Sequence, residues 1–150
     1  MQEQEYIRRF AQVVEQGLDE GHGSCALRTP ELRSIVEGAL RHFEGQRHEN
    51  HAWIIMPNHV HGLFSLRDGH KLEDVLQSWK GFSGREINRL RGASGAFWMK
   101  DYYDRMIRNS EHFWNCAGYI RRNPAKARLR DDGFTLFESD FVRRGLDETE

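Results

Sequence analysis

Two short runs that read as strands, HAWIIM (51–56) and HVHGLFSL (59–66), meet at the turn-forming pair Pro57-Asn58. Two strand-like runs on either side of a short turn read as an antiparallel hairpin. The second run sorts by face. Val60, Phe64 and Leu66 lie on one side, and His59, His61 and Ser65 lie on the other with Leu63. This predicts a sheet with an apolar side for helices and a polar side that carries two imidazoles.

Helical patterns surround the hairpin. Residues 3–18 read as a helix, with Tyr6, Phe10, Val13 and Val14 near helical spacing and Gly17 close to its end. Thr29-Pro30-Glu31 is a helix start, and Leu32, Ile35, Val36, Ala39, Leu40 and Phe43 continue it as an apolar stripe. Leu72, Val75, Leu76, Trp79, Ile87 and Leu90 predict a second long helix, loosened by Gly81 and Gly84. FWMKDYYDRMIR (97–108) reads as a strand. Ser110 caps a last helix that Pro124 ends, because the residue before a proline avoids the helical region. The predicted order is helix, helix, strand, strand, helix, strand, helix: one α+β domain over residues 1–150, with helices on one face of an antiparallel sheet and an acidic tail at 140–150.

Charge is distributed unevenly along a chain of net charge −1. Residues 100–130 carry eight basic and three acidic side chains, and residues 131–150 carry two and seven. A basic face on a near-neutral chain is the footprint of a phosphate-backbone binder, and equally of a solvated helix face with its counter-charges elsewhere. No apolar run is long enough to cross a bilayer. Cys25 and Cys116 stand far apart without CxxC spacing, as reduced thiols in a cytoplasmic protein do.

Two groups of residues are candidates for chemistry. Imidazoles at i and i+2 of a strand project the same way, as two cis ligands of one metal do, although surface and hydrogen-bonded core histidines show the same spacing. In GYIRRNP (118–124), Tyr119 and Asn123 are four apart and share one helix face. A phenol and a carboxamide there offer a nucleophile and an oxygen ligand. A half-buried helix-end tyrosine followed by dipole-favoured arginines is the structural alternative.

Taken together, PNHVHGLF, then a stretch holding Trp98, Tyr103, Asp104 and Arg108, then YIRRNPAKA, resemble the HUH single-tyrosine transposases. They look most like the REP-associated branch. The resemblance runs from about Glu5 to Ser139, with the three motifs in the family's order.

It implies a ferredoxin-like antiparallel sheet of the HUH nuclease fold. It also implies that His59 and His61 bind Mg²⁺ or Mn²⁺, with Asn123 as third ligand, and that Tyr119 attacks a DNA phosphodiester to leave a 5′-phosphotyrosine. The implied partner is single-stranded or hairpin DNA, handled by a monomer or homodimer in the bacterial cytoplasm. Lys80, Arg108, Arg121, Arg122, Lys126 and Arg128 are expected along the backbone, and Trp79, Phe97, Trp98 or Tyr102 against bases. Tyr102 and Tyr103 read as packing or DNA-contact residues, not nucleophiles.

The family's first strand, beside the histidine strand, has no counterpart in MQEQEYIRRF. Its absence points to an N-terminally truncated chain, and so to an alternative: a remnant that binds DNA or RNA hairpins without cutting them.

Overall fold

The computed structural model describes residues 11–19 and 25–149. Its elements are β1 (Ala11–Gly17), α1 (Pro30–His42), β2 (His48–Ile55), β3 (His59–Leu66), α2 (Leu72–Arg91), β4 (Tyr103–Met106), α3 (Ser110–Lys126), β5 (Thr135–Glu138) and α4 (Asp140–Thr149). The five strands form one sheet in the order β4-β1-β3-β2-β5, every neighbouring pair antiparallel. β2 and β3 form the expected antiparallel hairpin. Among the described residues no helix is long and apolar enough to cross a membrane.

β1 corrects two expectations at once. Residues 11–17, read as part of a helix, form a strand paired on both sides; residues 3–10 lie outside the described residues. Gln12 to Gly17 run antiparallel to Phe64 to His59, so the strand thought missing lies beside the histidine strand. The misreading has a physical source. Ala11 and Val13 are buried on one side of β1 and Val14 on the other, and a strand buried on both faces loses its period-two signature.

Two faces are covered, not one. On the first, Val14, Trp53, Ile55, Val60 and Phe64 pack against Leu32, Val36 and Leu40 of α1 and Leu76, Trp79 and Ile87 of α2. On the second, Val13, Ala52, Ile54 and Leu63 pack against Phe113, Ala117 and Ile120 of α3 and Val142 and Leu146 of α4. The side that carries the histidines is therefore polar only locally. Ser65, on that side, is fully buried and bonded to His51 Nε2 at 2.7 Å, and the His51 ring packs edge-on to Phe113.

Further differences concern element ends. The strand read over 97–108 is limited to Tyr103–Met106, because Phe97 and Trp98 turn away into the first core. Asn109, not Ser110, caps α3, its side-chain oxygen accepting from the His112 amide at 2.8 Å. Pro124 does not end α3, which runs on to Lys126. A proline this close to a C-terminus removes one late hydrogen bond and leaves earlier turns intact. The end itself is a Schellman closure, with Leu129 N donating to Pro124 O and Arg128 N to Ala125 O, and Arg128 left-handed at φ 57°. The acidic tail is the amphipathic helix α4.

α3 and α4 meet at Gly145. A Cβ there would lie 2.1 Å from the Trp114 ring, so the two helices approach only because the side chain is a hydrogen. Alanine in a helix interior normally gains about 1 kcal/mol over glycine. Here Gly145→Ala is expected to lower stability by about 1–3 kcal/mol through overpacking, read as a drop in denaturant midpoint; an unchanged or raised midpoint contradicts the packing described.

Candidate active site on the histidine face

β3 delivers His59 and His61 to the α3 side of the sheet, and α3 lays Tyr119 against His61. The His61 and Tyr119 rings are 5.3 Å apart between centroids, tilted by 53°. Asn123 follows one turn later on the same helix face, 9% exposed, and the Lys126 ammonium lies 5.6 Å from the centre of the Tyr119 ring. Tyr119 itself is 43% exposed, so the phenol is held at the core's edge with its outer side open. His61 and Tyr119 are thus in contact, with His59 two residues away on β3 and Asn123 one turn along α3.

Burial sets the state of the imidazoles. Desolvation pushes His61 and His59 below the ordinary histidine value, partly offset by the Glu15 carboxylate. Near neutral pH both rings are uncharged and keep a lone pair for a ligand. The His59 Nδ1–H donates to Asn58 Oδ1 at 2.7 Å, which turns Nε2 into the free acceptor.

Two buried polar atoms of these residues have no hydrogen-bond partner among the described residues, His61 Nδ1 and Asn123 Nδ2. A half-turn of the Asn123 carboxamide exchanges Nδ2 for Oδ1 in that position. Neutral nitrogen donors plus a carboxamide oxygen form a set that fits a divalent cation of the first transition row, and Mg²⁺ less comfortably. Among the described residues, no three His, Cys, Asp or Glu side chains converge on one point as a metal-binding group.

The sheet register adds Glu15 and Arg105, which the sequence reading missed, and places Tyr103 beside them. Glu15 of β1 stands directly opposite His61, and Tyr103 of β4 directly opposite Glu15. Cross-strand partners share a face, so Tyr103, Glu15 and His61 form one row across the histidine side. Arg105 of β4 stands opposite Val13 on the same side. Arg105 and Arg108 are close enough to α3 to depress the basicity of His112, behind burial as the larger cause. Alternation within YDRM would have placed Tyr103 and Arg105 together, had the strand's true start been evident.

The expected DNA contacts divide. Arg108, Arg122, Lys126 and Arg128 are exposed. Arg121 is occupied: its Nε and Nη2 donate to the two oxygens of Glu138 at 2.8 Å each, and Nη1 to Asp147 at 2.9 Å. Lys80 ties α2 to the following loop, donating to Met99 O at 2.9 Å and Lys100 O at 3.3 Å. Trp79, Phe97 and Trp98 are core, the two tryptophans edge-to-face at 5.1 Å, and Tyr102 packs against that core half-buried.

Known proteins resemble the chain across this region. The family model described as "Transposase IS200 like" matches residues 27–123, which take in both histidines, Tyr119 and Asn123. A REP-associated tyrosine transposase of Escherichia coli K12 is 28% identical over 102 residues, a stretch covering 65% of this chain and 59% of that protein. The chain is similar in fold to a REP-associated tyrosine transposase solved bound to a REP hairpin, with a TM-score of 0.64 at 21% identity over 81% of this chain and 70% of that one. A protein of Deinococcus radiodurans R1 assigned as a transposase gives a TM-score of 0.53 at 20% identity, over 80% of this chain and 92% of that one.

Because Arg121 joins α3 to β5 and α4 with its guanidinium mostly covered, its role here is structural. Arg121→Ala is expected to destabilise the chain by about 2 kcal/mol, less than a fully buried pair, with most of that loss shared in a double-mutant cycle with Glu138→Ala. Additive effects in thermal melts would contradict the pairing.

Proposed function

Because the chain belongs to the IS200-like transposase family, we propose that it cleaves and rejoins single-stranded DNA at hairpin-forming repeats, with Tyr119 as nucleophile. The observation that carries this reading is the contact of the Tyr119 and His61 rings at 5.3 Å, with Asn123 one turn further along the same helix. A nucleophile and a cation-binding pair share one open point.

His59, His61 and Asn123 would hold a divalent cation, Mg²⁺ or Mn²⁺, whose Lewis acidity withdraws charge from the phosphoryl oxygens. Tyr119 supplies the attacking oxygen: the phenol gives up its proton, its oxygen bonds to phosphorus, and the 3′-oxygen leaves as a hydroxyl. The product is a 5′-phosphotyrosine, and attack by a 3′-hydroxyl reverses the step and frees Tyr119. Lys126, over the ring, adds positive charge where the phenolate forms. The half-open position of Tyr119 admits a backbone phosphate, which a single strand presents with fewer steric demands than a duplex.

Arg105, Arg108, Arg122, Lys126 and Arg128 are proposed to follow the strand, while Arg121 and Lys80 are committed within the protein. The hairpin in the solved relative favours a hairpin as partner here. A non-catalytic remnant rested on the lack of the strand beside β3; β1 fills that position and removes the motive for it.

Incubation with a hairpin oligonucleotide carrying single-stranded flanks, in Mn²⁺, is expected to give a covalent protein–DNA adduct by intact mass. Tyr119→Phe should abolish it and His61→Ala should lower its rate about 100-fold or more. An adduct that survives Tyr119→Phe removes Tyr119 as nucleophile. Hairpin binding without adduct in any divalent cation makes the chain a binding module.

A further inference from the structure

The donor set of His59, His61 and Asn123 carries no charge, whereas Mg²⁺ and Mn²⁺ favour oxygen and gain most from carboxylate. The sheet places one carboxylate within reach. Glu15 lies directly across from His61 in the β1–β3 pairing, on the face that bears both imidazoles. Two residues earlier on that side, Val13 is buried beneath α3; Glu15 is exposed, so the helix cover ends between these rows.

Glu15 is an uncommon residue type for its position. Glutamate is depleted in strands, and β1 is an interior strand of the sheet. The residues directly opposite it are Tyr103 and His61, neither a fixed cation.

We propose that Glu15 is the acidic member of the cation site, supplying the charged oxygen that His59, His61 and Asn123 lack and allowing the cation to bind before DNA arrives. This rests on the cation reading of the site but not on Tyr119 chemistry. As it stands the carboxylate does not converge with the two imidazoles; a rotamer change of this exposed side chain would bring Oε toward the point they face.

The test uses the full chain without DNA and Mn²⁺ alone, with free Mn²⁺ read by electron paramagnetic resonance. Wild type is expected to bind one equivalent. Glu15→Gln should weaken binding at least about tenfold, Glu15→Asp should retain most of it, and His61→Ala should lose it. Circular dichroism melts establish that each variant is folded, and Glu15→Asp serves as reference if Glu15→Gln is not.

Equal affinity in wild type and Glu15→Gln overturns the proposal, as does no Mn²⁺ binding by wild type without DNA. Unchanged Mn²⁺ affinity with tighter hairpin binding in Glu15→Gln overturns it too, making Glu15 a charge that repels the strand. Weaker Mn²⁺ binding in Glu15→Gln, with no DNA adduct in wild type, upholds it while the transposase reading fails.

Discussion

The antiparallel register between β1 and β3 is the constraint on which the site depends. Val13 opposite Leu63 seals the sheet beneath α3, and two residues further Glu15 stands opposite His61 where that seal ends. A slip of one residue would turn every side chain of β1 to the other face, burying a carboxylate among Trp53, Phe64 and α2. Burial on both faces makes such a slip prohibitive, so the packing of two cores fixes the chemistry at their edge.

α3 does two tasks with one helical period. Phe113, Ala117 and Ile120 point into the second core, while Tyr119, against His61, shares its helix stripe with Asn123 and Lys126. Arg121, on a third stripe, holds Glu138 and Asp147 and so locks the helix to β5 and α4. The position of Tyr119 over His61 is thus set from three sides. Burial keeps the imidazoles neutral at their inner edge, and the outer side of the phenol stays open.

Much of this was legible in the sequence. The hairpin, the two central helices and the shared side of His59 and His61 follow from alternation and helical spacing, and the spacing of Tyr119 and Asn123 alone places them on one face. What was illegible depends on partners distant in sequence. β1 hid because both its faces are buried, and with it Glu15, whose meaning exists only through its pairing with His61. Arg121 and Lys80 looked like free cations because nothing local reveals Glu138 or the Met99 carbonyl as their partners. Pro124 misled because a proline's effect depends on how few hydrogen bonds remain beyond it.

The central claim is that one point on the histidine face holds cation, nucleophile and strand together. The most direct measurement is a crystal structure of the Tyr119→Phe chain with a hairpin oligonucleotide and Mn²⁺, using manganese anomalous scattering to locate the ion. The account predicts a single anomalous peak bounded by His59, His61 and Asn123, with a backbone phosphate between it and the residue 119 ring. A peak elsewhere, or a strand crossing the α1–α2 face, would contradict it.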